Sequence, residues 1–122
     1  EGYDIMPEEL EGLAAQECKP CKGEVPALES RQLEALMRKL DGDWRLVGEH
    51  HLEREYGFEG FAPAVDFTNE VARIARAQGH HPDILLTYGK VKVTVWTHKA
   101  GGLTLNDFIL AAKIEKAFQN GA

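Results

Sequence analysis

The chain has 122 residues, 43% of them hydrophobic and 28% charged, with a net charge of −6 at neutral pH. That fits one domain with a single core and excludes a wholly disordered chain. The acidic balance, with no basic run longer than two residues, argues against nucleic acid as a direct ligand, because phosphate neutralisation needs clustered Lys and Arg.

No apolar stretch approaches the length that spans a bilayer, and no signal-type apolar segment precedes the domain. The expectation is a cytoplasmic protein without membrane contact, although Glu1 in place of an initiator Met leaves room for a removed leader. Residues 1–25 read as an acidic, loosely ordered extension carrying Glu1, Asp4, Glu8, Glu9, Glu11 and Glu17, with room for a short helical turn between 7 and 16. Both cysteines fall there, in Cys18-Lys19-Pro20-Cys21. The spacing suits half a zinc site or a redox dithiol. No second Cys pair completes a zinc set, and a Gly/Pro/Glu-rich leader is not the helix start a redox motif uses. Reduced thiols in a loosely held tail are therefore expected, with a zinc shared with a histidine or another subunit as the alternative. The folded domain is expected over 26–122.

From 28 to 40, Leu33, Leu36, Met37 and Leu40 recur at helical spacing, and Asp41-Gly42-Asp43 ends the helix. Residues 44–47 read as a short strand, Gly48-Glu49 as a turn, and 51–59 as a second strand with Leu52, Arg54, Tyr56 and Phe58 on its apolar face. Arg54 is the exception there, expected to snorkel at an edge. Pro63 suits the first turn of a second helix with the stripe Phe61, Ala64, Val65, Val71, Ala72 and Ala75. Phe67 and Ile74 lie off that stripe, which fits either a deeply buried helix or one that packs on another subunit. Gly79 stands where a left-handed residue would stop this helix.

Residues 84–88, a Gly89-Lys90 turn and residues 91–98 read as a hairpin. Its second strand turns Val91, Val93, Val95 and Thr97 to one side and Lys92, Thr94, Trp96 and His98 to the other. Thr104 caps a last helix, with Asp107 as its capping-box partner. The order α-β-β-α-β-β-α predicts an α+β domain: a four-stranded antiparallel sheet with helices on one face.

Three of the five histidines lie in Gly79-His80-His81-Pro82-Asp83 and Thr97-His98. Imidazole exchanges protons near neutral pH, so a convergence of such groups suits paired acid–base work. Neighbours on an extended strand point to opposite faces, so His80 and His81 do not readily share an ion. A three-histidine zinc site would need His98 with both of them, or with His50 or His51. His50 and His51 read as ordinary solvated residues. No Ser or Cys nucleophile pairs with the histidines, no phosphate loop follows a strand, and no carboxylate pair stands out. Spacing alone leaves two accounts open: catalysis, or hydrogen-bonded core and edge histidines.

His80-His81-Pro82-Asp83-Ile84, Tyr88-Gly89-Lys90-Val91, Val93, Thr97-His98, Gly101-Gly102-Leu103-Thr104 and Asn106-Asp107 together resemble the pterin-4a-carbinolamine dehydratase family, in order from about Trp44 to Ile114. The resemblance implies dehydration of 4a-hydroxytetrahydropterin to quinonoid dihydropterin, within tetrahydrobiopterin recycling, without cofactor or metal. It implies His81 and His98 as the acid–base residues with His80 orienting or assisting, and Pro82, Asp83, Tyr88, Thr97 and Asp107 as substrate-binding residues. It also implies a homodimer or homotetramer. One position departs from the pattern: Arg76 stands where many members carry an acidic residue, which puts the role of that group in question. Relatives of the fold that act as RuBisCO assembly factors, or as a dimerisation cofactor of a transcription factor, supply the alternative of a non-catalytic binding protein.

Overall fold

The computed structural model describes residues 12–20 and 24–121. Helix α1 (Ser30–Lys39) leads into β1 (Arg45–Val47) and β2 (His51–Gly57). Helix α2 (Phe61–Gln78) leads into β3 (Asp83–Thr87) and β4 (Lys90–Val95), and α3 (Leu105–Gln119) closes the domain. The four strands form one antiparallel sheet in the order β1-β2-β4-β3, and the helices pack on one of its faces. This is the α+β architecture that the alternation of hairpins and helices predicts.

The period-2 pattern sets which side is buried. Val91, Val93 and Val95 of β4 and Leu52 and Tyr56 of β2 meet Leu33 and Leu36 of α1, Phe67 and Val71 of α2, and Phe108, Ile109 and Ile114 of α3 in one core. Phe118 adds edge and tilted ring contacts to Tyr56, Phe58 and Phe67, with centroids 4.6–5.8 Å apart. The opposite sheet face carries His51, Glu53 and Glu55 from β2 and Lys92 and Thr94 from β4.

Several expectations need correction. The buried stripe of α2 is Ala64, Phe67, Val71, Ile74 and Ala75, so Phe67 and Ile74 belong to it, whereas Phe61 is 51% exposed. Those five positions repeat at i, i+3, i+7, i+10 and i+11, the spacing of one helix face; the expected stripe was rotated toward Phe61 and Val65. The hairpin turn is Tyr88-Gly89, because Thr87 already pairs with Lys90. Strand β2 ends at Gly57, and Phe58 leaves the ladder to donate its N–H to the Gly89 carbonyl at 2.8 Å.

Arg54 does not snorkel at an edge. Strand β2 is interior, and the side chain turns inward to Glu115 of α3, with Nε to Oε1 and a terminal nitrogen to Oε2 both at 3.1 Å. The Tyr56 hydroxyl donates to the same carboxylate at 2.8 Å, and the guanidinium lies 4.1 Å from the Tyr56 ring centroid. Burial opposes the Arg54 charge, but the Glu115 hydrogen bond and the neighbouring charges outweigh it and hold its pKa above the ordinary value. Burial first, and the Glu115 carboxylate second, push the Tyr56 phenol upward.

Residues 12–20 run across α3 toward the end of α2. Leu13 of a 3₁₀ turn (Leu13–Ala15) is buried, and Lys113 donates to the Ala14 carbonyl at 2.8 Å. The Cys18 N–H reaches the Gln78 side chain at 2.8 Å and its thiol the Asn106 carbonyl at 3.5 Å. Asn106 pairs with Lys19 on both backbone groups. Cys21, most of the acidic stretch and the first half of the anticipated 7–16 turn lie outside the described residues.

Candidate active site

Three local devices deliver the histidines. Gly79 stops α2 in the left-handed conformation (φ 66°), which a side chain would strain, and its N–H bonds back into the last turn. His80, His81 and Pro82 then form the connection into β3. On the other side β4 stops at Val95, short of the expected strand through His98. Thr97 bridges to Gly102, its N–H donating to the Gly102 carbonyl at 2.8 Å, and His98–Ala100 form a 3₁₀ turn ended by left-handed Gly101. The Gly101-Gly102 pair lets the chain double back at once, and this converts the expected strand end into a loop.

The third device is the N-terminus of α3. Asp107 reaches back to the Thr104 N–H at 2.8 Å, closing the expected capping box. Its carboxylate is fully buried and takes two further contacts: the Thr97 hydroxyl donates to Oδ2 at 2.7 Å, and His80 Nε2 lies 2.6 Å from Oδ1. Thr97 and Thr104 hydroxyls are 2.9 Å apart. Since the Thr97 proton goes to Asp107, Thr104 donates to Thr97, and the relay runs Thr104 to Thr97 to Asp107. An ionised carboxylate only accepts, so it selects the tautomer of His80 with hydrogen on Nε2. Asp107 thus ties the segment holding His80 and His81 to the residue that precedes His98.

The other expected residues fall in different places. His81 and His98 are exposed, and Pro82 is half-buried. Asp83 is exposed on β3, opposite Thr94. Thr97 and Asp107, expected to contact substrate, are buried and bonded to protein groups, which suits holding the histidine segments in place. Tyr88 is 80% exposed at the tip of the β3–β4 hairpin. Five strand residues lie between it and Pro82, six steps or about 20 Å along the strand, so it is not brought to the histidines within one subunit. Arg76 is exposed in the last turn of α2, where a cation faces the negative end of the helix dipole. Among the described residues, no three His, Cys, Asp or Glu side chains gather as a metal set.

Sequence reading missed two residues beside His98. The Trp96 indole stacks on the His98 ring, with centroids 3.9 Å apart and planes 18° from parallel. His50 lies against the same indole at 4.3 Å and puts its Nδ1 3.1 Å from that of His51. His50 and His51 are therefore half-buried parts of a ring cluster and not the solvated residues expected. The register explains this: Leu52 pairs with Val95, so the chain just before Leu52 meets the chain just after Val95. The alternation along 91–98 already set Trp96 and His98 on one side, and only the approach of His50 depended on strand register.

A helical layer on a four-stranded antiparallel sheet, with a buried carboxylate gripping an imidazole at one end, defines an α+β domain equipped for proton chemistry. The sequence pattern of the pterin 4 alpha carbinolamine dehydratases matches residues 26–117, and the chain belongs to that family. It is 50% identical over 104 residues to a protein of Rubrobacter xylanophilus, covering 85% of this chain and 96% of that one. A protein of Alkaliphilus metalliredigens is 42% identical over 107 residues, covering 88% of this chain and 96% of that one. Both are provisionally named pterin-4-alpha-carbinolamine dehydratases. A crystal structure from Brucella melitensis, described as a transcriptional coactivator/pterin dehydratase, superposes with a TM-score of 0.67 at 31% identity, over 73% of this chain and 95% of that one.

Proposed function

We propose that this protein removes water from 4a-hydroxytetrahydropterin, giving quinonoid dihydropterin, with its own imidazoles as acid and base. The observation that carries the reading is the 2.6 Å contact between His80 and buried Asp107, which links the two histidine segments of a chain in this family. In the reaction a proton is delivered to the departing 4a-hydroxyl, the C4a–O bond breaks, and loss of the N5 proton leaves the N5–C4a double bond. His81 and His98, both exposed to an incoming ligand, are assigned those transfers. His80, with Nε2 held by Asp107, orients the pair. Recycling of tetrahydrobiopterin after aromatic hydroxylation, in the cytoplasm, is the setting this reaction serves.

Purified protein should turn over the carbinolamine, and chelator treatment should leave the rate unchanged because the mechanism uses only imidazoles. Loss of activity on chelation, restored by zinc, would move the site to the metal class. The coactivator half of the Brucella description favours a second reading, a binding protein on this fold. Absence of turnover by folded protein would select it.

A homodimer or homotetramer is also expected. Strands β1 and β3 leave two sheet edges, and Phe61, Leu85 and Tyr88 are exposed. Phe67 and Ile74, which the sequence leaves open to packing on another subunit, are buried within this one and do not support an intersubunit helix. Light scattering at micromolar concentration should give a multiple of 13.6 kDa; the monomer mass would remove the claim. Among the described residues, no helix is long and apolar enough to cross a membrane.

A further inference from the structure

We infer that Trp96 is a positioning residue for the reaction, holding the His98 ring at its working orientation, and that His50 backs the indole. The inference rests on the assignment of His98 to proton transfer and adds residues which that assignment does not include.

His98 begins a 3₁₀ turn outside the β-ladder, and its side chain is exposed. An exposed imidazole has rotamer freedom, and a proton donor or acceptor that wanders by an ångström loses much of its effect. Asp107 fixes His80, but among the described residues no carboxylate holds His98 in the same way. What lies against it is the half-buried Trp96 face, nearly parallel at 3.9 Å. An indole face holds an imidazole in both protonation states, by stacking when the ring is neutral and by cation–π attraction when it is charged. A group that must gain and lose a proton in each cycle needs that kind of support, since a charged partner would favour one state over the other.

The indole needs holding in turn. Trp96 leaves the strand just after Val95, where no ladder contact fixes it, and His50 covers it at 4.3 Å with a 44° tilt. His50 is itself restrained by the 3.1 Å contact to His51, whose Nε2 faces Glu53 at 3.9 Å. Glu53 is in turn held by Arg45 and Lys92. The support therefore runs from the sheet face through His51 and His50 to the indole and then to His98.

The test is a double-mutant cycle in dehydratase turnover, with His98→Ala as the reference. Trp96→Ala should lower kcat roughly tenfold with KM little changed, because orientation is lost and binding is not. Trp96→Phe, which keeps a flat face, should recover most of the rate. In the His98→Ala background Trp96→Ala should cost less than about twofold, since a residue acting through His98 has nothing left to act on. His50→Ala should cost roughly threefold in the presence of Trp96 and nothing in its absence.

Proton NMR supplies a readout independent of activity. The His98 ring resonances should be shifted upfield by the indole current in the wild type and should return in Trp96→Ala. Losses that multiply in the double variant, or a Trp96→Ala protein with wild-type kcat, overturn the inference and leave the dehydratase reading intact. A folded wild type without turnover removes that reading, and this inference with it.

Discussion

His98→Ala and His81→Ala should each lower the rate of dehydration by about a hundredfold or more, the usual worth of a positioned acid or base. Neither change should unfold the protein, because both side chains are exposed and neither belongs to the core. Circular dichroism and thermal midpoint should stay near those of the wild type while turnover collapses. The two losses should not simply multiply, since removing one proton-transfer partner leaves less for the other to do. Near-normal turnover by both variants would sink the assignment. His80 provides an internal comparison: its ring is largely buried on Asp107, so His80→Ala also leaves a buried carboxylate short of one contact. That variant should lose stability as well as rate, which separates a holding role from proton transfer.

Glu115→Ala should destabilise the domain by about 3–5 kcal/mol, the range for breaking a buried ion pair from one side. Arg54 would keep its charge among Tyr56 and Phe118 without a carboxylate, and the Tyr56 hydroxyl would lose its acceptor. Urea denaturation should show a lower midpoint with an unchanged slope, because the surface exposed on unfolding hardly differs. Replacing both partners, as Arg54→Met with Glu115→Leu, should recover most of the loss, since apolar groups of similar size do not leave a stranded charge. A Glu115→Ala variant within about 1 kcal/mol of the wild type would show that solvent reaches Arg54 and that the pair is no more than a surface bridge.

Much of this architecture was legible in the chain. Periodicity located every helix and strand to within a few residues because a half-buried element must repeat its apolar side chains at its own pitch. Leu33, Leu36 and Leu40 repeat at helical pitch, and Val91, Val93 and Val95 alternate. Gly79 as helix stop and the Thr104–Asp107 capping box were also legible, since both are satisfied within a few residues of backbone. The ordered motifs around His80-His81-Pro82 and Thr97-His98 pointed to the family that the comparisons show.

What stayed hidden depended on partners distant in sequence. Arg54 read as a misfit on an apolar face because its partner, Glu115, lies 61 residues away on another helix. The bond from His80 to Asp107 spans 27 residues, so an apparent capping residue turned out to hold a histidine too. His50 and Trp96 meet only through the pairing of β2 with β4, whose register local sequence does not encode. The sequence by itself determined the elements, their order, the buried faces of α1 and of the strands, and the ends of α2 and α3 at Gly79 and Thr104, because these follow from neighbours along the chain; the buried face of α2 was settled only by docking. Tertiary structure alone decided which polar side chains met across elements, because strand register and helix docking are settled by core packing and carry the polar groups with them.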